Sequence, residues 1–132
     1  MRYRCPHCKA ILNPGTKVIM RIRRGRKAAL ILLSPKVGNY SVILPDNFPL
    51  KKGERTNLQC PVCHADLTSP VNKQFGEILR DRPDGGFDRV GFHRVYGEHV
   101  TFVVSKGEVR AYGKDVEEYR NINFFGVGRG VE

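Results

Sequence analysis

All four cysteines of this chain fall in two short stretches, Cys5-Pro6-His7-Cys8 and Cys60-Pro61-Val62-Cys63. No other feature narrows the accessible folds as much. Two residues between paired cysteines let a tight turn aim both sulfurs at one ion, and proline suits that turn because its φ is fixed and it leaves no N–H unpaired. Two such pairs supply four sulfurs, the number that closes a tetrahedral structural Zn²⁺ site. The expected ligands are therefore Cys5, Cys8, Cys60 and Cys63. Knuckles of this kind more often carry glycine just after the second cysteine, where this chain has Lys9-Ala10 and His64-Ala65.

Two other chemistries compete for the same residues. Cys5-Pro6-His7-Cys8 resembles the active site of thioredoxin-fold thiol oxidoreductases, which places its first cysteine at a helix N-terminus after a strand. Only four residues precede Cys5, and Asn13-Pro14-Gly15 breaks the chain too soon after Cys8 for that helix. A second pair is also unexplained by redox chemistry of the first. A rubredoxin-like Fe(Cys)₄ electron carrier stays open, since tetrahedral S₄ sites also take iron.

The formal net charge is +10, and it is unevenly spread. Residues 1–59 carry +11 and residues 60–132 carry −1, so the excess positive charge is N-terminal and an anionic partner for that part is expected. The longest aliphatic run, Ala28 to Leu33, is far below a membrane span. Met1-Arg2-Tyr3-Arg4 runs straight into the first knuckle with no signal-peptide pattern, and metal-binding thiols must stay reduced. The expectation is a cytoplasmic protein with no membrane insertion.

Hydrophobic periodicity points to strands. In Lys17 to Arg24, Val18, Met20 and Ile22 share one face while Arg21 and Arg23 share the other. Gly25 turns the chain into Lys27 to Leu33, whose length and bounding breakers predict a buried strand. Asn39 to Leu44 predicts a third strand, and Arg55 to Gln59 a short one delivering Cys60. This pattern resembles the zinc-ribbon class. More narrowly, residues 1–67 are similar to small uncharacterised bacterial proteins that join a first C-P-x-C, an aliphatic strand ending in Ser-Pro, a Gly-x-Tyr turn and a second C-P-x-C with a short Asp/Glu-Leu tail. The matching residues are Cys5 to Cys8, Leu30 to Pro35, Gly38 to Tyr40 and Cys60 to Leu67. The resemblance covers about half the chain by direct count and implies no activity.

Thr68 to Asn72 reads as a linker. Phe75 to Arg80 is too brief to assign, Arg82 to Gly86 is a turn, and Phe87–Tyr96, Val100–Ser105 and Glu108–Tyr112 predict three strands. Asp115 to Tyr119 predicts one helical turn with Asp115 near its N-cap, and Ile122 to Val127 the last element. The only internal repeat evident is the knuckle itself. The expected fold is mostly β: a zinc-ribbon-like domain at 1–70 with an inserted β-sheet, then a small C-terminal β-meander domain at 71–132.

The expected function is binding, with no catalytic residues. Arg21, Arg23, Arg24, Arg26 and Lys27 at the hairpin tip are candidates for contact with RNA or DNA phosphates, against a plain solvated turn. A protein-interaction or structural role in a larger assembly is the alternative. Four sulfurs fill the coordination sphere, so His7 and His64 are expected as exposed knuckle residues or donors around the site. His93 and His99, with Asp88 or Glu98, form a weaker candidate pair whose plain reading is surface histidines. Gly126 to Gly130 lacks the strand-turn-helix setting of a dinucleotide loop.

Overall fold

The structure, a computed structural model, describes residues 1–119. Its strands are β1 (Tyr3–Arg4), β2 (Val18–Arg24), β3 (Lys27–Leu33), β4 (Val42–Ile43), β5 (Asn57–Gln59), β6 (Phe75–Asp81), β7 (Phe87–His93), β8 (Thr101–Ser105) and β9 (Glu108–Tyr112). A single 3-10 turn follows at Val116–Tyr119. The turns are where the sequence placed them. Gly25 opens the β2–β3 hairpin at a φ of 58°, which favours glycine, and Lys106-Gly107 joins β8 to β9 with both φ angles positive, as tight hairpin turns require.

Two antiparallel sheets result, ordered β1-β6-β7-β8-β9 and β4-β3-β2-β5. Each half of the chain lends its first strand to the sheet of the other half. β1 pairs with β6, and β5 pairs with β2. The exchange repeats in detail. Leu12 N–H donates to Tyr3 O and Leu67 N–H to Leu58 O, after which Ile19 N–H donates to Leu12 O and Glu77 N–H to Leu67 O. Strand, knuckle and hairpin therefore recur with matching register, and a pseudo-two-fold relates the β1–β4 part to the β5–β8 part. The repeat extends well beyond the duplicated C-P-x-C. It escapes sequence comparison because the two copies share period and register rather than residue identities.

The inner faces of the two sheets meet in one core. Val18, Met20, Ile22, Ile31 and Leu58 of one sheet cluster with Tyr3, Ile78, Val90 and Val103 of the other. At about 1.5–3 kcal/mol per buried side chain, this contact dominates the stability of both sheets. A smaller cluster of Phe75, Val100 and Phe102 lies on the outer face of the five-stranded sheet, covered by Val116 and Tyr119 of the 3-10 turn. Asp88 faces the interior between Arg80 and Arg82, at 2.9 and 3.3 Å. Burial alone would raise its carboxyl, but hydrogen bonds from Ser105, Arg80 and Arg82 outweigh that and hold it below the usual carboxylate range.

Several expectations change. β3 is covered on one face only: Ile31 is buried, but Ala28 is exposed and Leu30 is 55% exposed. A continuous apolar run cannot reveal that one side has no partner. The third strand shrinks to Val42–Ile43, the only two residues that pair with β3. Phe75–Asp81 resolves as a strand between β1 and β7. Residues 68–72 are packed rather than free, with Ser69 buried, donating to the Glu77 carboxylate and accepting from Val71 N–H. The Asp115 carboxylate accepts from His99 N–H, tying the turn to the loop before β8. The element expected at Ile122–Val127 and the Gly126–Gly130 stretch lie outside the described residues.

Candidate metal centre

Each knuckle is a short hairpin whose hydrogen bonds aim two sulfurs inward. In the first, Cys5 N–H donates to Ala10 O at 3.0 Å and Lys9 N–H to Cys5 O at 2.9 Å; in the second, Cys60 N–H donates to Ala65 O at 3.0 Å and His64 N–H to Cys60 O at 2.9 Å. The Cys5 sulfur accepts from His7 N–H at 3.3 Å and Cys8 N–H at 3.5 Å, and the Cys60 sulfur accepts from Val62 and Cys63 at the same distances. The first knuckle leaves β1 and the second leaves β5, so the two sheets bring them together. All four sulfurs lie within 4.8 Å of one another, with Cys5 to Cys63 at 3.8 Å and Cys8 to Cys60 at 3.7 Å.

Those separations carry chemical information. Zn–S bonds of about 2.3 Å place the sulfurs of a tetrahedron about 3.8 Å apart. A disulfide would hold its sulfurs at about 2.05 Å, and all four thiols are free. Cys5 and Cys60 are fully buried, whereas Cys8 and Cys63 are exposed. Burial pushes the Cys60 thiol up to about 12 and raises Cys5 as well, while a hydrogen bond with the Ala10 backbone brings Cys8 down to about 7. A cation among the sulfurs reverses the cost of burying thiolates, and the converging N–H groups already favour the anionic form. The donor set fits a divalent metal.

The residues after each second cysteine explain why knuckles favour glycine there. Lys9 and His64 sit at φ of 65° and 62°, in the left-handed region. Lys9 is partly compensated, because its ammonium donates to Pro6 O at 2.6 Å. His64→Gly removes a strain of about 1–2 kcal/mol and gives back about 0.5–1 kcal/mol of backbone entropy. The metal-loaded variant should thus unfold at slightly higher denaturant than the parent, by up to about 1.5 kcal/mol; a lower midpoint would mean that the His64 side chain contributes. His7 is exposed and its Nε2 lies 3.1 Å from Asp66 O, bridging the two knuckles.

The structure does not hold the five basic residues as one free cluster. Alternation along β2 sends Arg21 and Arg23 to the outer face of the four-stranded sheet and Arg24 to the inner side. Arg24 is engaged there: its guanidinium pairs with Glu54 at 2.8 Å, donates to Pro49 O and lies 4.5 Å over the buried Phe48 ring. The legible signal was Glu54, one of two acidic residues in 1–59. Arg21 donates to the Gln59 side chain, Arg23 to Gly25 O, and Lys27 reaches Asn47 O at 3.5 Å. Arg23, Arg26 and Lys27 are exposed. On the outer face, beside Arg21 and Arg23, lie Leu30 and Ile43, 55% and 53% exposed, whereas Lys27 pairs across from Arg24 and shares its inner side.

His93 and His99 are half-buried and packed on different partners. His93 meets the Phe75 and Tyr119 rings edge-on, and His99 stacks flat on Tyr40 at 4.4 Å. Burial lowers the His93 imidazole from its ordinary value. Among the described residues, the four cysteines are the only group of three or more His, Cys, Asp or Glu side chains arranged to hold a metal. No helix among the described residues is long and apolar enough to cross a membrane. No protein-family model matches the sequence, and neither curated proteins nor solved structures yield a match.

Proposed function

We propose that this is a zinc-binding, non-catalytic binding module whose metal staples two β-sheets, and whose basic β2–β3 hairpin contacts nucleic acid. The observation that carries the zinc assignment is the set of sulfur separations at tetrahedral edge length between knuckles delivered from opposite sheets. Four protein sulfurs leave no open position for substrate, which favours a structural metal over a catalytic one. Elemental analysis of protein purified without chelator should give one zinc per chain and a colourless solution. Visible thiolate-to-iron absorption would move the reading to an Fe(Cys)₄ electron carrier.

The nucleic-acid reading rests on Arg21, Arg23, Arg26 and Lys27, with Arg24 now assigned to holding Phe48 and Glu54. Each phosphate neutralised on duplex contributes about −0.9 to the slope of log K against log salt. Arg23→Gln with Arg26→Gln should therefore flatten the slope by about 1.8 on that scale, measured by fluorescence anisotropy, with zinc content unchanged. Sequence preference should be slight, because backbone contacts position a protein without reading bases. One observation favours a second reading. Exposed Leu30 and Ile43 next to arginines suit an acidic, partly apolar protein surface better than phosphate. Absence of nucleic-acid binding at low salt would transfer the basic hairpin to that partner, to be sought by crosslinking from Lys27.

A further inference from the structure

Between the two inner sheet faces lies a cavity of about 440 Å³ that neither the metal nor the basic hairpin uses. Its floor is aliphatic: Val18, Met20, Ile31, Ile78 and Val90, all buried, belong to both sheets. Its mouth lies between the β3–β4 and β7–β8 loops, which are counterparts under the pseudo-two-fold. The Tyr40 and His99 rings stack there with planes 2° apart, and the Tyr40 hydroxyl is held 3.0 Å from Thr101 Oγ1. The size falls within the range of small-molecule pockets, which combine apolar walls with a few polar groups at one end.

The polar end has a sign. Lys36, Lys52 and Lys114 line the cavity and are exposed, and none forms an ion pair among the described residues. Glu98 is the one acidic side chain in the lining, and it accepts a hydrogen bond from the Tyr119 hydroxyl. Lys52 is placed by its neighbours: its stem lies against Gly97, where a Cβ would come within 2.7 Å of the lysine Cγ, and Gly53 N–H donates to Tyr96 O next to it. Six rings also line the cavity, those of Tyr3, Tyr40, Phe92, His93, Tyr96 and His99, but Tyr40 and His99 already stack on each other and the floor between the sheets is aliphatic, which suits a flexible hydrocarbon chain.

We propose that this cavity binds a linear aliphatic carboxylate, its chain between the sheets and its carboxylate at the lysines. At a liquid-like volume of roughly 30 Å³ per heavy atom, the cavity holds a ligand of about the size of decanoate. The apolar wall supplies affinity and the lysines select the head group.

The test titrates the zinc-loaded full chain with decanoate, decan-1-ol and decylamine below their self-association limits, followed by calorimetry. Saturable binding of one decanoate per chain is expected, with decylamine at least about tenfold weaker. Lys52→Gln with Lys114→Gln should weaken decanoate about tenfold and leave decan-1-ol unchanged, because only the head group loses its partner. Val42→Phe, which adds bulk from a lining position, should abolish binding of all three while zinc content stays at one. If Val42→Phe does not fold, the exposed lysine variants decide alone. Absence of saturable decanoate binding, equal affinities for decanoate and decylamine, or unchanged binding in a folded Val42→Phe protein would each overturn the assignment.

Discussion

Cys60→Ser is expected to unfold both sheets at once, with loss of zinc, rather than only the segment around the second knuckle. Cys60 is fully buried and follows β5, which completes the four-stranded sheet beside β2. Its partner knuckle follows β1, which completes the five-stranded sheet beside β6. An incomplete site frees both edge strands together, and the single core that they border is shared. The apparent binding free energy of a structural zinc, about 10–16 kcal/mol, is as large as the whole stability of an ordinary domain, about 5–15 kcal/mol. Backbone NMR of the variant should show collapsed amide dispersion across β6 to β9 as well as β2 to β5. Cys63→Ser should be milder, because Cys63 is exposed and water can take the vacated position. Retained dispersion in β6 to β9 of the Cys60 variant would mean that the five-stranded sheet stands without the metal.

The second large effect concerns the halves of the chain. Divided into residues 1–55 and 56–132, neither half should fold alone, and zinc should reassemble them one to one. Each fragment keeps one knuckle with two sulfurs, too few to close a tetrahedral site. Each also leaves one inner face bare, Val18, Met20, Ile22 and Ile31 in one fragment and Ile78, Val90 and Val103 in the other. Each loses its exchanged strand: β6 is left without β1, and β2 without β5. The division leaves Phe48 and Glu54 with Arg24, so local contacts are spared. Size-exclusion chromatography should show separate, expanded fragments in chelator and a single compact species with zinc. A folded, monomeric 56–132 fragment without its partner would contradict this.

What each residue does at short range was readable from the chain alone. The C-P-x-C spacing named the four sulfurs, alternation in Val18 to Arg24 named the inner face, and glycine-bearing turns located the β2–β3 and β8–β9 hairpins, because each of these depends on neighbours a few residues away. At Lys9 and His64 the chain showed only a departure from the usual glycine, and the positive φ there came from the structure. Long-range partners were not readable. Only the tertiary structure decided that β1 and β5 exchange sheets, since a two- or three-residue strand carries no signal of which edge it joins. The same holds for Arg24, whose place is set by Phe48 and Glu54 two dozen or more positions away, and for Leu30, exposed because no layer covers that side of β3. The cavity is the extreme case. Its lining comes from both repeats and from the loops between their strands, and it exists only because two sheets face each other across a space their side chains do not fill.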